Sequence, residues 1–167
     1  THRAYGALAA LVGPYSGMGN VLTEQHRYDE ARTYYRRALA LAAQMGDRTS
    51  VGTTHMHLGR CAALEGRFED AKREYAVAAA ALEDTGFWSG LARAYEFMID
   101  LHVALGATDE ALRCAEMRLA IARKSHSVAL EQAALRQKAD LLVRAGRPDD
   151  ARRCMAAQAV AGTAGAA

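Results

Sequence analysis

The sequence predicts an all-α solenoid built from four helix pairs, and three observations predict it. Alanine fills 38 of the 167 positions and proline only 2. That balance favours closely packed helices, because Ala costs a helix least and lets backbones approach. Four short segments then recur without a gap: His26-Arg27-Tyr28-Asp29-Glu30-Ala31, Gly66-Arg67-Phe68-Glu69-Asp70-Ala71, Gly106-Ala107-Thr108-Asp109-Glu110-Ala111 and Gly146-Arg147-Pro148-Asp149-Asp150-Ala151. Their closing alanines fall at 31, 71, 111 and 151, a spacing of 40. Gly6, Gly46 and Gly86 keep the same spacing, with His126 in the fourth place. A fixed period of this size marks stacked supersecondary units that bury core between neighbours.

Each unit reads as two helices and two turns. Gly66, Gly106 and Gly146 stand where a first helix ends, because glycine accepts the left-handed conformation found there. The pairs Asp29-Glu30, Glu69-Asp70, Asp109-Glu110 and Asp149-Asp150 fall in the first turn of the second helix, where a carboxylate opposes the positive end of the helix dipole. Pro148 occupies an early helical position, where the missing N–H is not needed. Gly46 and Gly86 close the second helix. The repeats run over about 8–46, 48–86, 88–126 and 128–161, with 162–167 a Gly/Ala-rich tail expected to fray. Turns are expected near 26–29, 46–50, 66–69, 86–90, 106–109, 126–129 and 146–149. Gly6 aligns with Gly46, so residues 1–6 match the end of a preceding second helix, and the chain is expected to be part of a longer protein.

Apolar residues within a unit recur at helical spacing. In the second unit His55, Leu58, Gly59 and Ala62 share one face of the first helix. Phe68, Ala71, Tyr75, Ala78 and Leu82 share one face of the second. Gly59, Ala71 and Ala78 let the pair approach, and Phe68 and Tyr75 fill the space around them. The first unit repeats this with Gly19, Ala31, Ala38, Tyr28 and Tyr35. The pattern departs later. The small residue of the first helix becomes Ile99 and then Ala139. The large aromatic of the second becomes Ala115 and then Met155, and the late alanine becomes Arg118 and then Gln158.

The runs Tyr15-x-x-Met18-Gly19-Asn20, Tyr28-Asp29-Glu30-Ala31-x-x-Tyr34-Tyr35-x-x-Ala38-Leu39 and Gly66-x-Phe68-Glu69-Asp70-Ala71-x-x-x-Tyr75-x-x-Ala78 resemble tetratricopeptide repeats. The period of 40 and the link Met45-Gly46-Asp47-Arg48 are similar to the longer subclass. That subclass occurs in kinesin light chains, Leu-Gly-Asn-repeat adaptors and sensor domains of bacterial transcription activators. The resemblance implies a right-handed superhelical α-solenoid whose first helices line a concave face. It implies a protein–protein or peptide interaction module, the sensing or docking domain of a bacterial regulatory protein, or alternatively a free-standing scaffold or assembly adaptor.

Repeat matching places Asn20, Thr23, Thr53, Met56, Arg60, Arg93, Glu96, Asp100, Arg136 and Asp140 on that concave face as candidate partner contacts. Residues four apart on a helix project together, which pairs Met56 with Arg60, Glu96 with Asp100, and Arg136 with Asp140. The same charges can also neutralise one another across neighbouring repeats, as Arg60 could with Glu96 or Asp100. A terminal-carboxylate clamp of the kind found in chaperone-binding relatives is not expected. The corresponding places hold Ser16, Asn20, His57, Arg93 and Phe97, and only Asn20 keeps the clamp residue.

Charge and cysteine content narrow the function classes. Residues 1–110 carry 11 basic and 14 acidic side chains, a net of −3, and residues 111–167 carry 10 and 5, a net of +5. Every aromatic lies at or before Phe97, so the basic half lacks the stacking platform of a single-strand binder, and direct nucleic-acid binding is not expected. The cysteines are Cys61, Cys114 and Cys154, an odd and sparse count that suits free thiols and a cytoplasmic, reducing setting. Cys114 and Cys154 lie one repeat apart, too far for a disulfide between stacked helices, and are expected to pack as small apolar residues. The longest apolar runs are too short for a membrane span. Ala7–Val12 is short for a signal core and falls in register with the repeat. Neither a nucleophile elbow, a phosphate loop nor a His-Glu-x-x-His motif occurs. His57 and Cys61 supply two ligand types on one helix, fewer than a metal site needs. No enzyme activity, cofactor or metal is expected. The open ends of the array imply either a longer array in the full protein or self-association through a terminal repeat.

Overall fold

A computed structural model describes the backbone of residues 2–164 and the side chains of residues 6–160. Eight helices follow in order: α1 (His2–Glu24), α2 (Tyr28–Gln44), α3 (Arg48–Leu64), α4 (Phe68–Leu82), α5 (Trp88–Ala104), α6 (Thr108–Lys124), α7 (Val128–Arg144) and α8 (Pro148–Ala164). The described residues contain no strand. The chain forms two compact units, Thr1–Phe87 with α1–α4 and Trp88–Ala167 with α5–α8. In the first, α1 packs on α2, α2 on α3 and α3 on α4, and α1 also touches α3. In the second, α5 packs on α6, α6 on α7 and α7 on α8.

The connections are shorter than expected and fall slightly earlier. Most are three residues long, such as 25–27, 65–67 and 145–147, and the longest is 83–87. Five of the six three-residue turns close by the same pair of hydrogen bonds, and at the sixth Ser127 N–H donates to the Ser125 hydroxyl instead. Gly66 N–H donates to the Ala63 carbonyl at 3.0 Å and Arg67 N–H to Ala62 at 2.8 Å, which satisfies carbonyls the helix end leaves open. Gly66 has φ +77°. At two turns a histidine takes the glycine position, His26 with φ 59° and His126 with φ 52°, and His26 and Arg27 make the same two bonds to Thr23 and Leu22.

Helix starts are fixed by charge. Arg27 spans its turn to Glu30 at 2.7 Å, Arg147 reaches Asp150 at 2.7 Å, and Arg67 pairs with Asp70. These contacts pin the first turn of α2, α4 and α8, where the acidic residue also faces the dipole, whereas α6 follows Ala107 and has only its acidic residues Asp109 and Glu110 there. The arginine contacts hold Glu30 and Asp70 below the ordinary carboxylate range, first through the hydrogen bond from the arginine. Two first helices are capped by side chains instead. Asp47 accepts from Ser50 N–H at 3.0 Å and Ser127 from Leu130 N–H at 3.3 Å.

Two expectations need correction at the ends. Gly6 does not mark a turn, because α1 runs unbroken from His2 to Glu24 through Gly6 and Pro14. The physical difference is the next residue. Gly46 is followed by Asp47, which caps α3, whereas Gly6 is followed by Ala7-Leu8-Ala9-Ala10, which continues a helix readily. At the other end α8 stays helical to Ala164 through part of the tail expected to fray, and the remaining 165–167 lie outside the described residues.

The core of the first unit is a set of rings lying on glycines. A Cβ placed on Gly59 would lie 2.6 Å from the Tyr75 ring, and one on Gly19 would enter the Tyr35 ring. Tyr35 and Tyr75 are almost wholly buried, each contributing about 2–3 kcal/mol of apolar burial. Gly52 does the same for Leu82 at 2.5 Å. The second unit inverts the sizes. Ile99 replaces the glycine and Ala115 the tyrosine, and the two share a core cluster with Ala111 and Leu141. The interface is therefore filled from the opposite helix. Cys114 and Cys154 pack at the margins of the clusters around Ile99 and Ala139, and all three cysteines are free.

This packing sets a stability test. Gly59→Ile alone should destabilise the chain by about 3 kcal/mol, because overpacking displaces the Tyr75 ring. Adding Tyr75→Ala, which copies the Ile99–Ala115 arrangement, should recover most of that loss in urea denaturation. Strictly additive losses would contradict the size-swap explanation.

Candidate functional site

In the first unit the first-helix face is organised by Tyr35, which reaches from α2 across Gly19 on α1. Its hydroxyl donates to Asn20 Oδ1 at 2.8 Å. Thr23 Oγ1 lies 3.1 Å from the same hydroxyl and donates to the Gly19 carbonyl at 2.8 Å. The ring stacks on His57 of α3, with centroids 5.9 Å apart and planes 7° from parallel. Burial raises the Tyr35 phenol above its ordinary value, so it remains a proton donor at neutral pH. The Asn20 amide is thereby turned with its oxygen toward Tyr35, and its NH2 group is left for other acceptors.

Not all the expected contacts reach the surface. Thr23 is 1% and Met56 3% exposed, so neither offers itself to a partner. Helix α3 is enclosed by α1, α2 and α4, and its outward strip is narrower than five positions per helix. Thr53 is half-buried and its hydroxyl donates to the Ser50 carbonyl at 3.2 Å within its own helix. Arg60 pairs with Glu24 of the preceding repeat at 2.6 Å, so charge neutralisation between neighbouring first helices does occur. That pair is well exposed and adds little stability.

In the second unit the face is organised by Arg118 of α6, at the register position held by Ala38 and Ala78 in the first unit. Its side chain is buried, with Nη1 donating to Gln137 Oε1 of α7 at 2.7 Å and Nη2 to Glu96 Oε2 of α5 at 3.3 Å. Its Nε–H has no hydrogen-bond partner among the described residues. A charge this buried requires such partners to offset its desolvation, and it ties both first helices of the unit to α6. Asp100 stands one turn from Glu96. Its carboxyl is raised above the ordinary range, first by partial desolvation and then by Glu96, against the pull of Arg118. Arg93, Arg136 and Asp140 are exposed, without an ion pair among the described residues. The structure therefore keeps Asn20, Arg60, Arg93, Glu96, Asp100, Arg136 and Asp140 accessible on first helices.

A cavity of about 250 Å³ opens beside Leu112, Leu142 and Cys154. Its charges are met internally, Lys138 by Glu116 at 2.6 Å and Arg147 by Asp150 at 2.7 Å. Among the described residues no group of three His, Cys, Asp or Glu side chains could hold a metal ion. Burial raises the thiols of Cys61 and Cys114, the opposite of an activated nucleophile. No described helix is long and apolar enough to cross a membrane.

Comparison with known proteins matches this geometry. The tetratricopeptide repeat family model matches residues 8–84. No curated protein sequence matches the chain. Among solved structures, BtubC (BKLC) from P. vanneervenii is similar at a TM-score of 0.74 and 22% identity, over 92% of this chain and 63% of that one. Aspartyl phosphate phosphatase F from Bacillus subtilis is similar at 0.73 and 21%, over 87% and 38%. The kinesin light chain-type TPR-like repeats of Podosopora anserina are similar at 0.69 and 15%, over 90% and 74%. At these identities the likeness is one of fold. The chain spans less than two thirds of the first two structures.

The raised Asp100 carboxyl has a pH signature. Its folded-state value lies above the unfolded one, so the charged form is disfavoured by folding and stability falls as pH rises through that range. Asp100→Asn should raise the melting temperature at pH 7. The gain should vanish below the ordinary aspartate value of about 3.9, where both states are protonated. A gain that persists unchanged at pH 3 would contradict it.

Proposed function

Because the chain belongs to the tetratricopeptide-repeat family, we propose that it is a docking module whose first helices bind an extended protein or peptide segment. The observation that carries the proposal is the anchored Asn20 amide. Tyr35 holds its oxygen at 2.8 Å, so its NH2 group is presented without the entropy loss of ordering it on binding. A backbone carbonyl of an extended segment is the acceptor that suits such a donor. In the second unit Arg118 holds Glu96 in the same manner, with Asp100 beside it, so that unit favours a basic side chain.

The role assigned to this module is the sensing or docking domain of a bacterial regulatory protein. The long-repeat resemblance and an Ala- and Arg-rich composition support it. The alternative is a free-standing scaffold or assembly adaptor.

The test is affinity selection of peptides on the immobilised chain. Asn20→Ala, which removes the presented NH2 group, should weaken the selected peptides about tenfold, the loss of one good polar contact. Arg113→Glu on α6 should leave them unchanged, and both variants should keep wild-type helicity. Loss of binding by Arg113→Glu alone would place the working surface on the second helices instead.

A further inference from the structure

The cavity of the second unit arises where the repeat changes its residues. In the first unit Arg32 of α2 pairs with Glu65 at the end of α3 and with Asp29 of its own helix. The Arg32 and Glu65 side chains are only 16% and 19% exposed, so the pair is enclosed where α2 meets the end of α3. At the same register positions the second unit holds Leu112 and Ala145, which are shorter and uncharged. The groove between α6, α7 and α8 therefore keeps an open volume of about 250 Å³. A third change adds charge to it. Lys138 stands in the place of Leu58, which is buried in the first unit.

The lining is amphipathic. Leu112, Leu142 and Cys154 give it an apolar wall, and Lys138, Arg147 and Arg153 bring three cations against the two carboxylates of Glu116 and Asp150. Asp150 is shared, lying 2.7 Å from Arg147 and 3.3 Å from Arg153. The Lys138 side chain is 18% exposed, and its one ion-pair partner among the described residues is Glu116 at 2.6 Å. An ammonium has three N–H to donate and a guanidinium five. Each cation thus has a carboxylate beside it, yet donors outnumber acceptors and one positive charge is left over. The group that complements this lining is an acceptor carrying a single negative charge.

We propose that the cavity binds a small organic carboxylate, with its oxygens on Lys138 and the two arginines and its hydrocarbon on Leu112 and Leu142. Guanidinium and carboxylate match in geometry as well as charge. The leucines favour a ligand that has apolar surface to bury, which sets an organic acid apart from an inorganic anion. The volume lies below the range of about 300–1,000 Å³ typical of drug-sized ligands, so it suits a molecule of a few carbons. None of the first-helix residues assigned to the partner face lines this cavity, and the two sites are tested separately.

Titration of the whole chain with 4-methylpentanoate, followed by amide NMR shifts at pH 7 and constant ionic strength, tests this. Amides lining the cavity should shift and saturate with a Kd on the order of 1 mM, the scale a ligand of about eight non-hydrogen atoms reaches. The neutral amide of the same acid and inorganic phosphate should each bind at least about tenfold more weakly, one lacking the charge and the other the hydrocarbon. Lys138→Met keeps the aliphatic stem, removes the ammonium and should weaken binding about tenfold. Leu112→Arg restores the residue of position 32, with Asp109 placed before it as Asp29 is before Arg32, and should fill the cavity and abolish the shifts. Both variants should keep wild-type circular dichroism. Absence of saturable shifts in the wild type up to about 20 mM, some twentyfold above the expected Kd, would overturn the proposal. So would unchanged binding by Lys138→Met, or phosphate or the neutral amide binding as tightly as the acid.

Discussion

A tyrosine ring laid on a glycine of the facing helix is the contact on which the first unit depends. Glycine inside a helix costs about 1 kcal/mol relative to alanine, and Gly19, Gly52 and Gly59 all sit within helices. The cost is offset because the missing Cβ lets a large side chain of the partner helix reach the backbone. Tyr35 then joins its own helix α2 to both α1 and α3. It lies on Gly19 of α1, stacks on His57 of α3, and packs with Leu58 and Cys61. The same hydroxyl that is satisfied in the core by Asn20 and Thr23 also aims the Asn20 amide. Stability of the first unit and the orientation of Asn20 on its first-helix face therefore rest on one side chain.

The second unit meets the same geometric requirement with other residues. Ile99 fills from α5 the space that Tyr35 fills from α2, and Ala115 accepts it. Neither α6 nor α8 carries an aromatic residue, so no second-helix ring brings a hydroxyl to the first-helix face, and a buried cation takes over that role. Arg118 reaches both Glu96 and Gln137. The two units thus present different chemistry, an oriented amide with Arg60 in one, and carboxylates with exposed arginines in the other.

Much of this is legible in the sequence. The register follows from the Gly and Asp/Glu markers, because turn geometry and helix dipoles admit few residue types at those points, and His26 and His126 keep the turn without the glycine. Helical spacing assigns a face to each residue but not a depth. Thr23 and Met56 project toward the inner side yet lie beneath the surface, because neighbouring helices close over them. The compensation of Ile99 with Ala115 is visible only when two departures from the pattern are read as one contact between helices. Arg118 at an alanine position looks like a defect in the repeat until its buried partners are seen. Gly6 misleads because a spacing marker carries no information about the capping residue that must follow it.

The claim that Tyr35 is the common anchor of three helices is tested most directly by hydrogen exchange on Tyr35→Ala. Local openings follow the cooperative units of the structure. Amides of α1, α2 and α3 should lose protection together, while those of α7 and α8 keep wild-type rates. Loss confined to the α2 residues around position 35, with α1 and α3 unchanged, would contradict the account.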